Sequence, residues 1–136
     1  MPSFSKRSKR CLESTHPILQ SIFNEVIKFH DCAILCGYRG KADQNRAYAA
    51  KASNVKWPDS AHNCKPSRGV DAYPYVNGGV SFDQVQCGVL AGIVITIARE
   101  KGVHDMVRWG GDWDGDQDTN DQKLHDLGHY EVKKHD

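Results

Sequence analysis

Apolar residues recur at helical spacing from Ile18 onward. Ile18, Leu19, Ile22, Phe23, Val26 and Ile27 fall on one face and predict an amphipathic helix. Thr15 stands where it can cap that helix, with Pro17 in the first turn, where a missing N–H costs nothing. Residues 32–38 are short, apolar and uninterrupted, which predicts a buried strand. The alanine-rich stretch 42–52 predicts a second helix. Polar residues and two prolines then make 55–69 a loop. A strand over 69–75 follows, closed by the turn signal Asn77-Gly78-Gly79. A long helix is expected over 83–101, stopped by Gly102. Short strands over 107–109 and 128–132 flank a glycine- and aspartate-rich loop, 110–122. This order predicts an α+β domain: a small, mainly antiparallel sheet with helices packed on one face.

The chain has 136 residues, enough for one domain over 1–136 with a core of its own. Eighteen basic residues against seventeen acidic ones leave a net charge of +1, so no nucleic-acid partner is expected. The exception is Lys6, Arg7, Lys9 and Arg10, a basic arm within residues 1–13 read as a solvated tail. Five cysteines, an odd number with no Cys-x-x-Cys pair, read as free and mostly buried thiols of a reducing compartment. Cys32 and Cys36, four apart in one strand, are expected on the same face. No apolar stretch follows the basic start, and the longest apolar run, 89–98, is too short to span a bilayer. The expectation is a monomer made in the cytoplasm, without membrane insertion, that reaches any external target through a separate release factor.

Candidate chemistry gathers in SAHNCKPSRGVDAYPY, where His62 and Asp71 bracket a polar loop, and in DLGHYEV, which holds Asp126 and His129. Antiparallel neighbours on one sheet could bring His62, Asp71 and His129 together. Two imidazoles and one carboxylate around Zn²⁺ leave a fourth position open, the pattern of a catalytic zinc site. Asp126, three residues before His129, is placed to serve as the general base. Taken singly, each histidine is more often a hydrogen-bonded structural residue. His16, His30, His104 and His135 have no comparable company. His125 adjoins Asp126 and is the second choice to His129, which lies in the more rigid segment. In the loop, Asp112, Asp114, Asp116 and Asp118 alternate like the start of a calcium loop. Gln117 stands where an EF-hand requires glycine, and Lys123 where it requires glutamate. A solvated loop with Asx-turns is the plainer reading, with a loose Ca²⁺ site as the alternative. Trp109 and Trp113 read as packing residues.

SAHNCKPSRGVDAYPY resembles the Ser-x-His…Asp signature of the VanY-like D-alanyl-D-alanine carboxypeptidase family of zinc peptidases. DLGHYEV resembles that family's Asp/Glu-x-x-His followed by x-Glu. Pro66-Ser67 and the Arg108–Trp113 segment are similar to features of its phage L-alanyl-D-glutamate endopeptidases, the endolysins. The resemblance runs over residues 36–132. It implies a hedgehog/D-Ala-D-Ala-peptidase-like fold, with zinc held by His62, Asp71 and His129. Asp126 would be the base and Arg39 the group that steadies the substrate carbonyl. Gln44 and Ser60 would bind substrate or orient the site. The implied activity is hydrolysis of the L-Ala-D-Glu bond in the peptidoglycan stem peptide. The same ligands would also serve a D-Ala-D-Ala carboxypeptidase, and a zinc-containing wall-binding module without turnover is a third reading.

Overall fold

The computed structural model describes residues 2–118, 120 and 126–134. The basic arm is no free tail. Lys6–Glu13 forms helix α1, started by Ser5, whose hydroxyl accepts from the Ser8 amide at 3.1 Å. The buried Ser8 hydroxyl in turn accepts from the Ile34 amide at 3.0 Å, so α1 covers the outer edge of the first strand. An unpaired strand edge is a template for unwanted pairing, and a helix laid over it removes that template. The four basic side chains stay on the exposed side of α1.

Helix α2 spans Pro17–Val26 and buries Leu19, Ile22, Phe23 and Val26, as the spacing predicts. Its cap differs from expectation. His16 is the N-cap, its Nδ1 accepting from the Ile18 amide at 3.1 Å. Thr15 instead donates its hydroxyl to the Leu12 carbonyl at 2.6 Å, finishing α1. The other elements are β1 (Cys32–Cys36), α3 (Lys41–Ala49), β2 (Gly69–Val76), β3 (Gly79–Val80), α4 (Gln84–Glu100), β4 (Val107–Gly110) and β5 (Asp126–Val132). The tiny β3 was not foreseen. It pairs with β2 across Asn77 and Gly78, whose φ of 53° and 82° match the tight hairpin turn that Asn-Gly favours. No described helix is long and apolar enough to cross a membrane.

The sheet order is β1-β2-β5-β4 with every pairing antiparallel, as expected. Helices α2 and α4 bury Phe23, Leu90 and Val94 against Ile34, Val70, Ala72 and Tyr130 on one face of the sheet. Because side chains alternate along a strand, Asp71 and His129 are left on the opposite face. They are direct register partners between β2 and β5.

A β-bulge corrects one expectation. Ile34 pairs with Ala72 and Cys36 with Asp71, so two steps along β1 match one along β2. Cys32 therefore faces the core, whereas Cys36 is turned to the face that carries Asp71. All five cysteines are free; Cys32 and Cys87 are buried and Cys64 is exposed.

Candidate active site

His62 does not lie on a strand. It sits in a short 3-10 turn, Ala61–Asn63, whose N-cap is Ser60. The Ser60 hydroxyl accepts from the His62 amide at 3.2 Å, and the Asn63 side chain accepts from the Ser60 amide at 3.0 Å. This reciprocal cap fixes the turn. His62 Nδ1–H donates to the Gly37 carbonyl at 2.7 Å, which leaves Nε2 aimed at Asp71 Oδ1, 3.2 Å away. His129 approaches the same oxygen with Nδ1 at 3.2 Å, while its Nε2 meets Glu131 Oε1 at 2.8 Å. Both imidazoles among the three predicted ligands therefore meet one oxygen of the third, with their ring centroids 5.1 Å apart. Both histidines are buried.

Asp126 lines the same cleft, about 390 Å³ in volume, together with Arg39, Ser60 and Trp113. Arg39 is held from two sides: Nη1 donates to Gln44 Oε1 at 3.1 Å, and Nη2 lies 3.7 Å from Asp71 Oδ2. Gln44 is fully buried and also bonds Asn63, Ser53 and the Val55 carbonyl. Of the two roles expected for Gln44, this geometry supports orienting Arg39. Ser60 likewise orients His62 through its cap. Trp109 packs against the core and donates Nε1–H to the Leu127 carbonyl at 2.9 Å. Trp113 does more than pack: it borders the cleft, its ring 5.8 Å from that of His129. His125 and His135 lie outside the described residues.

The electrostatics follow from this crowding. Burial opposes charge on His62, but its hydrogen bonds to Asp71 and Cys36 outweigh it and hold the pKa up at about 10. Burial would raise Asp71, yet its hydrogen bonds to His129 and His62 hold it well below the usual carboxylate range. Burial opposes charge on His129 too, and its bonds to Asp71 and Glu131 raise it nonetheless. The carboxylates thus favour positive charge on both imidazoles between them. A divalent cation would carry the same charge there. Asp126 is raised, first by burial, with the Asp71 charge adding to it and the nearby cations offsetting only part.

Three neighbours carried no role in the sequence reading. Cys36 offers a sulfur that, with one atom each from His62 and Asp71, forms a group whose members lie within 4.8 Å of one another. Its Sγ is 3.6 Å from His62 Nδ1 and 3.5 Å from Arg39 Nη2. Nδ1 is the nitrogen committed to Gly37, so Cys36 flanks the outer edge of the imidazole. Only the bulge puts it there, and no spacing rule shows a bulge. Glu131 and Arg108 were also passed over. For Glu131 a signal existed: two residues after His129 on a strand, it must share that face.

A cluster of imidazole and carboxylate groups held by two strands and a capped turn, beside a second carboxylate and a fixed guanidinium in one cleft, fits a hydrolase site of the metallopeptidase kind. The profile of the phage L-alanyl-D-glutamate peptidase family matches residues 2–133, and the chain belongs to that family. It is a peptidoglycan endopeptidase of the L-alanyl-D-glutamate type. Among solved structures it is similar to the Serratia marcescens L-Ala D-Glu endopeptidase ChiX. The TM-score is 0.76 and the identity 24%, over 97% of this chain and 91% of that one, a likeness of fold. No curated protein matches the chain.

Proposed function

We propose that the cleft is a zinc centre in which His62 Nε2, Asp71 Oδ1 and His129 Nδ1 are the ligands. The observation that carries this is the pair of 3.2 Å separations from Asp71 Oδ1 to the two imidazole nitrogens. Ligand atoms sharing one tetrahedral zinc stand about 3.3 Å apart. The outer nitrogens fit as well, since each donates to a fixed oxygen, the usual way a ligating histidine is oriented. Bound zinc supplies Lewis acidity, lowering the pKa of a water and polarising the scissile carbonyl.

The rest is the work of the chain. Asp126 accepts the proton of the attacking water and passes it to the amine of D-Glu as the L-Ala–D-Glu amide breaks. Its raised pKa suits a group that must both take and return a proton. Arg39, braced by Gln44, faces the carbonyl oxygen as negative charge develops, an effect worth a few kcal/mol (~3) where water is excluded. Digestion of purified peptidoglycan, read by mass spectrometry with and without chelator, tests the assignment. New D-Glu amino termini that vanish with chelator and return with zinc are expected. Release of terminal D-Ala instead would make it a carboxypeptidase, and binding without cleavage a wall-binding module.

The acidic loop supports a second cation, and calcium is its best occupant. Asp112, Asp114 and Asp116 each offer a carboxylate oxygen within 4.8 Å of the others. Asp112 is buried, and among the described residues its Oδ1 has no hydrogen-bond donor. Burial, and then the charges of Asp116 and Asp114, raise its pKa. The Gln117 amide donates to Oδ2 at 2.8 Å, so only Oδ1 is left over; a buried carboxylate oxygen without a donor is costly, and a hard cation with oxygen ligands relieves that cost.

A further inference from the structure

Glu131 is buried beside the site, and the scheme above uses it only as the oxygen that His129 Nε2 meets. Its two oxygens are used separately. Oε2 accepts from Arg108 Nε at 3.0 Å and Nη2 at 2.9 Å, with Arg68 Nη1 4.0 Å away. Oε1 is left for His129 Nε2, at 2.8 Å. The clamp is built into the sheet: Arg108 on β4 and Gly69 on β2, next to Arg68, are both register partners of Glu131. Three strands thus converge on one carboxylate, and that carboxylate faces the outer nitrogen of His129.

We infer that Glu131, locked by Arg108, is the positioning residue for His129: its Oε1 accepts the Nε2–H hydrogen bond and so aims the Nδ1 lone pair at the metal. The inference rests on the zinc reading. An imidazole can rotate and can carry its single proton on either nitrogen. Only one rotamer and one tautomer present Nδ1 to Asp71. A carboxylate at 2.8 Å selects both, and its charge makes the imidazole a stronger donor. Arg108 supplies the second constraint. Its bonds to a single oxygen stop the carboxylate from turning away. A brace between strands would need the arginine pair alone; the bond to His129 is the added feature.

The test is zinc affinity, measured by competition with a chromophoric chelator at a temperature where circular dichroism shows each variant folded. Glu131→Ala should bind zinc about 10- to 100-fold more weakly than wild type. Glu131→Gln should fall between them, because its amide oxygen still accepts from Nε2–H but carries no charge. Arg108→Met should show a smaller loss than Glu131→Ala. In the cobalt-substituted proteins the visible bands should shift in the same order. Zinc affinity within twofold of wild type in Glu131→Gln and Glu131→Ala, whatever the drop in melting temperature, would overturn the inference and leave Glu131 a strand brace. Should Glu131→Ala fail to fold, Glu131→Gln decides. Absence of zinc binding by the wild type would sink the zinc reading itself, an outcome distinct from unchanged affinity in the variants.

Discussion

Two parts of this molecule gather metal-ligating side chains, and they do so by opposite means. In the cleft, Asp71 and His129 are register partners on adjacent strands, and His62 is tied to them through a capped turn. Both imidazoles are buried and their outer nitrogens are already bonded. In the acidic loop, Asp112, Asp114 and Asp116 come from one short segment, and Asp114 and Asp116 are exposed. Local contacts hold them: the Asp116 amide donates to Asp114 at 3.3 Å and the Asp118 amide to Asp116 at 2.8 Å. In the first case folding has already met the cost of ordering the ligands. In the second, binding must meet it. Preorganisation, more than the number of donor atoms, separates a site built for tight binding from a weaker, adjustable one.

That contrast can be broken, beginning where the effect is largest. His62→Ala removes a proposed ligand, and it should abolish both zinc retention and turnover. A mutant fully loaded with zinc by metal analysis would end the assignment. Asp126→Ala should keep its zinc and lose about 10²- to 10⁴-fold in kcat, as the loss of a general base predicts. Wild-type turnover there would remove Asp126 from the mechanism. Arg39→Met should lower kcat about 100-fold with zinc intact, the scale of one lost oxyanion donor. A change confined to KM would make Arg39 a binding residue instead.

A subtler effect is on stability. His62 is raised from its ordinary range to about 10 in the metal-free protein. A raised pKa stabilises fully below the unfolded value near 6.5, and that contribution is lost as pH rises through the folded one. Asp71 and Glu131 are lowered, so their contributions persist above the ordinary carboxylate range and fade only in acid. The metal-free protein should therefore melt at a higher temperature at pH 6 than at pH 9. Zinc should reverse the order, because ligating imidazoles must be deprotonated. Equal metal-free melting temperatures at the two pH values would contradict the charged cluster. The smallest change concerns the loop. Calcium should alter Trp fluorescence, since Trp113 stands between Asp112 and Asp114, and a flat titration would leave the loop without an ion.

The sequence by itself determined the elements and most of the residues that matter. Apolar spacing marked α2, Gly102 marked the end of α4, turn chemistry marked Asn77-Gly78 though not β3, and the His62, Asp71, Asp126 and His129 motifs marked the site. These signals are local, and local rules read them. Tertiary structure alone decided the rest. The bulge in β1 turned Cys36 to the site and left Cys32 in the core. Ser8 met the β1 edge and made the basic arm a helix. At Gly128 a Cβ would fall 2.2 Å from the Tyr73 ring, so that position is set by a neighbour on another strand. Each of these depends on contacts between segments far apart along the chain. A bulge, a packed edge or a ring against a backbone leaves no periodic trace in the order of residues.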